Sequence, residues 1–264
     1  MQNLLAALES ARVYDLGQPY FVGMPHFPTH PPFLYGLTKK HGDFVADNGM
    51  SSAADSIAMG GHTGTHIDAL NHFSCGGKLF GGTPAAEVQG YGTGIAKHSI
   101  DTVRPILRRG VLLDIAGQHG VDALPVDFEI TPEHLDRAVR EQRVEVREGN
   151  IVLLRTGWAR YFEDARRYVA QTRCPGPVLE GARWLSERRV FAAGSDTIAF
   201  ERVPSSEMPV HVHLLVESGI HIIEVLNLEE LARDHVYEFA FIAAPMKIRG
   251  GTGGPMRPLA LAAN

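Results

Sequence analysis

Residues 62–72 read His62-Thr63-Gly64-Thr65-His66-Ile67-Asp68-Ala69-Leu70-Asn71-His72, placing three histidines and a carboxylate within eleven positions. Imidazole and carboxylate are ligands suited to zinc, manganese or iron. Gly64 supplies backbone freedom for a turn between His62 and His66. Side chains two apart on the extended run that follows point the same way, which aims His66 and Asp68 at one ion. The plainer reading is a polar loop whose histidines bond only water, and the density of the cluster weighs against it.

Outward from this stretch, residues 21–35 are rich in Pro, His and aromatics. Prolines fix φ and remove donors, so the segment is expected to be a rigid loop with an aromatic lining rather than a helix. Downstream, Pro209-Val210-His211-Val212-His213 opens a segment that reaches Gly219, His221 and Glu224. Read as a helix followed by a strand, it puts His211 near the helix start. Glu224 falls in an apolar strand beside Ile222, Ile223, Val225 and Leu226. A carboxylate among such neighbours is costly unless it meets a cation or a dense hydrogen-bond network, although strand alternation also permits it to face water. His213, His221 and His235 read as surface or satisfied core histidines.

Short apolar runs bounded by turn residues mark strands at 56–59, 111–115, 151–155, 190–193, 220–225 and 238–243. Thr131 as N-cap before Pro132 starts a helix running to about residue 143, and helices are also expected at 177–188 and 209–218, the last stopped by Gly219. Strands outnumber helices, a mixture of α/β or α+β type rather than a regular βαβ repeat.

A chain of 264 residues with 44% hydrophobic and 21% charged residues is ordinary globular composition, compatible with one large domain. The net charge of −5 argues neither for nucleic acid nor for an acidic membrane surface, and the local arginines alternate with acids as on a solvated face. Cys75 and Cys174 form no disulfide framework and have no Cys-x-x-Cys spacing. The start of the chain reads as a short amphipathic helix, neither a signal peptide nor a membrane span, and cytoplasm is the expected compartment.

The chain resembles the cyclase or kynurenine-formamidase-like metal-dependent hydrolases. The resemblance rests on His-x-Gly-Thr-His-x-Asp followed four residues later by His, present as His62, Gly64, Thr65, His66, Asp68 and His72. Supporting matches run along nearly the whole chain: Asp15-Leu16, the loop from Pro25 to Pro32, Arg155 to Trp158, Gly194 to Asp196, His211 to Glu224 with Asn227-Leu228, and Gly250 to Arg257. The resemblance implies a single mixed α/β domain over 1–264 with barrel-like sheets and a few helices, of the swivelling β/β/α type. It implies that His62, His66 and Asp68 hold one metal, zinc or manganese. In two-metal members Asp68 bridges to a second ion on His211 and Glu224, and His72 moves protons. Phe27 matches an aromatic that contacts substrate, and Trp158 joins it as a candidate pocket residue. Homo-oligomers are common among such proteins. The chain departs from the pattern at Leu70, where many members have Pro, at Val225, where Asn is common, and at Gly254, where Ser is frequent.

The implied chemistry is hydrolysis of an amide, formamide, cyclic amide or lactone in a small aromatic or cyclic molecule. A bound divalent cation lowers the pKa of its water from about 15.7 to about 7 and polarises a carbonyl. A histidine off the metal, assigned here to His72, delivers a proton to the leaving group. Two other readings stay open on the residues alone. A non-haem iron oxygenase needs only His66-x-Asp68 and a distant histidine. A non-catalytic metal-binding protein needs a filled coordination shell. Gly64 and Thr65 argue against a zinc-peptidase helix, and the glycines at 250–254 lack the Lys-Ser/Thr ending of a phosphate loop and read as a tight turn.

Overall fold

The protein is described by a computed structural model over residues 2–263. Strand β1 (Arg12–Asp15) leads to the hairpin β2 (Leu34–Lys39) and β3 (Ala54–Ala58), then to β4 (His66–Asp68), β5 (Ile106–Asp114), β6 (Ile151–Arg155) and β7 (Ala192–Ser195). Strands β8 (His221–Glu224), β9 (Glu238–Ala243), β10 (Gly253–Pro255) and β11 (Leu259–Ala262) follow. Nine of them build one sheet in the order β1-β11-β9-β5-β6-β7-β8-β4-β10. The four central strands β5, β6, β7 and β8 run parallel, and every flanking pairing is antiparallel. The result is the mixed α/β architecture with a curled, half-barrel sheet and few helices that the resemblance implied.

The centre is parallel because helices cross over between its strands and cover the sheet, so β6 has no solvent face and reads as an unbroken apolar run. Val111, Leu113, Val152 and Leu154 pack toward Leu135, Ala138, Ala182, Leu185 and Leu214 of the crossover segments. Leu112, Ile151, Leu153 and Ile223 face the other way, onto Phe239, Phe241 and Ala260. A third apolar cluster around Phe33, Trp158, Phe162 and Tyr168 sits beside the cleft described below.

The helix Pro132–Gln142 has the expected cap: the Thr131 backbone N–H donates to His134 Nδ1 at 3.1 Å, and Arg143 closes the helix in the left-handed conformation. Leu179–Glu187 lies inside the expected 177–188 span. The segment from Pro209 begins as an α-turn, Pro209–His211, and continues as a π-helix, Val212–Ser218, ending at Gly219 with φ 68°. The N-terminal helix Gln2–Ser10 forms, with Leu5 and Leu8 exposed.

Several expectations shift, and the strand expected at 111–115 is the longer Ile106–Asp114. The strand expected at 56–59 is Ala54–Ala58, and it pairs only with β2 in an exposed hairpin. The proline loop therefore ends before Leu34, where the prolines stop. The strand expected at 190–193 is displaced to Ala192–Ser195, because its parallel ladder with β6 extends past the apolar run to Ser195. The glycine-rich tail turns at Gly250, φ 73°, but Gly253–Pro255 is an edge strand against β4, where a proline is tolerated. Among the described residues no helix is long and apolar enough to cross a membrane.

Candidate metal centre

Strand β4 is the floor of the site. It lies between β8 and β10, with His66 opposite Glu224 and Asp68 opposite Gly253. Alternation sends Ile67 into the core and puts His66 and Asp68 on the other face. All three residues of the strand are fully buried. The turn before it is pinned by its threonines: Thr63 donates to Pro31 O at 2.9 Å and Thr65 to Val225 O at 2.6 Å. Tyr20 donates to Thr63 O at 3.0 Å and packs where a side chain on Gly64, φ 68°, would stand. The turn thus needs glycine for both conformation and space. Gly253 has a different reason: a Cβ there would meet the His62 ring at 2.5 Å.

Two groups of ligating atoms result. His66, Asp68 and Glu224 converge, with His66 Nε2 3.3 Å from Asp68 Oδ1 and 3.5 Å from Glu224 Oε2. His62, Asp68 and His72 converge beside them, with His62 Nδ1 2.7 Å from Asp68 Oδ1 and the rings of His62 and His72 stacked at 3.9 Å. Asp68 is common to both. His211 stands one step back, its Nε2 3.3 Å from Glu224 Oε1, while its Nδ1 and backbone N–H engage Glu201 at 2.9 and 3.2 Å. Glu224 does not face water; it is buried, and its Oε1 accepts from the Phe200 backbone N–H at 2.7 Å.

These contacts fit a cation. His66 Nε2 is buried with no hydrogen-bond partner although two carboxylates lie around it. Burial alone would drive the charge off His66 and His211, yet the carboxylates overcome it. Asp68 and Glu224 raise His66, and Glu201 and Glu224 raise His211 to about 10. Burial also works against ionisation of Asp68, but His72 and His62 hold it well below the usual carboxylate range. Protons on imidazole thus supply positive charge that a bound ion would supply instead, and a His/Asp/Glu donor set without thiolate suits zinc or manganese. His72 behaves differently. Burial, aided by the neighbouring histidines and opposed by Asp68, lowers it to about 3, so it is neutral near pH 7.

The ligating groups open on a cavity of about 400 Å³ lined by Phe27, His30, Phe73, Ile198 and Met208 together with His62, His72, His211 and Glu224. Phe27, the aromatic for which the resemblance implies substrate contact, is among the residues lining this cavity. Trp158 does not line this cavity; it is buried in the adjoining core and its indole N–H donates to Leu124 O at 3.0 Å, so its place is structural. His213 turns away to Ser186 and Glu217, which leaves His211 facing the site. Sequence reasoning missed Glu201, Thr252 and His30. Thr252 Oγ1 lies 2.9 Å from His62 Nε2, and the buried His30 Nδ1 has no partner. His30 belongs to the proline loop singled out above, but nothing in its spacing distinguished it. Val225 holds φ 60°, a strained conformation for a β-branched residue and an easier one for the Asn common in the family pattern.

Comparison with known proteins identifies the family. The family model described as Cyclase matches residues 14–202. A solved structure titled a novel cyclase superposes with a TM-score of 0.88 at 33% identity, covering 98% of this chain and 90% of that one. The isatin hydrolase of Roseibium aggregatum is 27% identical over 213 residues, 78% of this chain and 73% of its own length. A kynurenine formamidase of Bacillus mycoides is 26% identical over 255 residues, 95% of this chain and 97% of its own. The chain belongs to the cyclase family. It is a hydrolase.

Proposed function

We propose that the protein is a metal-dependent hydrolase that cleaves an amide, formamide, cyclic amide or lactone bond in a small aromatic or cyclic substrate. The observation that carries this reading is the convergence of His66, Asp68 and Glu224, the last of which lines a cavity together with Phe27 and Phe73. A cavity of about 400 Å³ lies within the range of small-molecule sites and suits a one- or two-ring compound. The activities named for the isatin hydrolase and kynurenine formamidase relatives point the same way.

His62, His66 and Asp68 would hold one divalent cation, zinc or manganese, with Asp68 shared toward a second on Glu224 and His211. Such an ion supplies Lewis-acid polarisation of the carbonyl and access to hydroxide near neutral pH. The chain's own groups do the rest. Phe27 and Phe73 hold the ring and exclude water from around it. His72, neutral and stacked on His62, accepts a proton from the attacking water as oxygen bonds to the carbonyl carbon. It returns that proton to the departing nitrogen or oxygen as the old bond breaks. Glu201 fixes the proton on His211 Nδ1 and so directs Nε2 toward Glu224.

The protein is further read as a homo-oligomer, on the exposed Leu34, Tyr35, Leu37 and Ile57 of the β2–β3 hairpin, and as cytoplasmic, on its two unpaired cysteines. The test is to strip the protein with a chelator, reload it with zinc or manganese, and assay N-formyl aromatic amines, isatin-like rings and aryl lactones without oxygen or reductant. Metal-restored hydrolysis of at least one class is expected. A fully metallated protein inert on all of them, or one requiring dioxygen, would overturn the reading.

A further inference from the structure

A second cavity, of about 330 Å³, shares no lining residue with the first. Leu70, Val103, Pro105, Ile106 and Phe191 form its apolar wall. Every charged or titratable group that lines it is basic: His98, Arg104, Arg108 and His221. Among the described residues neither guanidinium has a carboxylate partner; Arg108 lies 4.1 Å over the Phe191 ring and donates to Gly149 O at 3.2 Å. The neighbouring cleft, which shares Arg108 and Phe191, is balanced by Glu148 and Glu187. The contrast matters in a chain of net charge −5, where two arginines without carboxylate partners lining one apolar hollow form a local anion field.

His221 gives the hollow a built polar group. It is 8% exposed, and its Nδ1 lies 2.8 Å from the Asp68 backbone carbonyl. A carbonyl only accepts, so Nδ1 carries the proton, and Nε2 is left with a lone pair and no protein partner among the described residues. A ligand matched to these walls carries an anionic end for the guanidiniums, an apolar body, and an O–H or N–H for Nε2.

The geometry points to a second binding site, for a small organic carboxylate that bears an apolar ring and a hydroxyl or amino donor. Arg104 and Arg108 take the carboxylate, which guanidinium matches in a planar fork. Phe191 and Leu70 cover the ring, and His221 Nε2 accepts from the donor. The ligand would sit one hydrogen bond from the Asp68 backbone, on the strand that carries the candidate metal ligands.

The test is calorimetric titration of the metal-loaded protein with 3-hydroxybenzoate and 4-hydroxybenzoate, with benzoate lacking the donor and 3-hydroxybenzyl alcohol lacking the charge. At least one hydroxybenzoate is expected to bind several-fold tighter than benzoate, and the alcohol not measurably. Arg104→Ala, at a position with no polar partner among the described residues, is expected to weaken that binding tenfold or more with turnover unchanged, and Arg108→Gln to weaken it likewise. His72→Ala, in the first cavity, is expected to leave it unchanged. Equal binding to wild type and both arginine variants, loss of binding in His72→Ala alone, or no binding at millimolar concentration would overturn the proposal. Equal affinity for benzoate and both hydroxybenzoates would remove His221 from it.

Discussion

His72 and Gly253 carry the site's geometry at the scale of single residues, and each gives a sharp prediction. His72 is held neutral near pH 7 by burial, which makes it a proton acceptor poised beside His62. His72→Ala is expected to lower kcat by about 10²–10⁴-fold, the usual worth of general acid–base catalysis, with metal content by elemental analysis unchanged. Loss of an equivalent of metal along with turnover would make His72 a ligand, since its ring also converges with His62 and Asp68. Gly253→Ala places a methyl within 2.5 Å of the His62 ring, where neither strand β10 nor a ring held at 2.7 Å from Asp68 has room to yield. It is expected to weaken metal binding at least tenfold in a chelator competition while leaving far-ultraviolet circular dichroism unchanged. His62, His66, Asp68 and His72 were legible because ligand chemistry is written in residue type and spacing. Gly253 and Thr252 were not, since their roles arise from a strand pairing nearly two hundred residues away in sequence.

Elements decide which of these residues meet. The central strands β5 to β8 were readable as strands from their apolar runs, because strands covered on both faces leave no polar alternation, but their parallel pairing was not. The short strands β1, β10 and β11 were not; β10, at the sheet's edge, is two glycines and a proline and acquires its structure only by pairing with β4. The start of the segment at Pro209 shows the same division: His211 was legible as a helix-start histidine, but its partner Glu201 lies on a loop and has no periodic signal. Glu201 is 2% exposed and binds both His211 Nδ1 and the His211 backbone N–H. Glu201→Gln keeps the shape and removes the charge. It is expected to weaken metal binding about 10–100-fold, the range for partners that orient a metal-bound histidine, with the melting temperature of the metal-free protein measured alongside. Unaltered metal affinity would mean that Glu201 serves the fold alone.

The whole molecule couples metal, protons and stability. In the metal-free protein His211 is raised to about 10 by its carboxylate neighbours and His66 is raised as well. A raised imidazole stabilises the fold fully below its unfolded value near 6.5, and that contribution is lost as pH climbs toward the folded value. Stripped protein should therefore lose stability between about pH 6.5 and pH 10, while metal binding, which needs the protons gone, should strengthen over the same span. The metal-induced rise in melting temperature is expected to grow with pH, and calorimetry should register proton release on loading; a rise that shrinks with pH would contradict the linkage. The family, and through it the hydrolase class, was legible from motifs along the whole chain, whereas the order of nine strands was not. The most direct measurement is an anomalous difference map from a crystal of active protein loaded with manganese or zinc. The account predicts a peak at His62, His66 and Asp68, with or without a second toward Glu224 and His211; ions bound elsewhere and none at these side chains would contradict it.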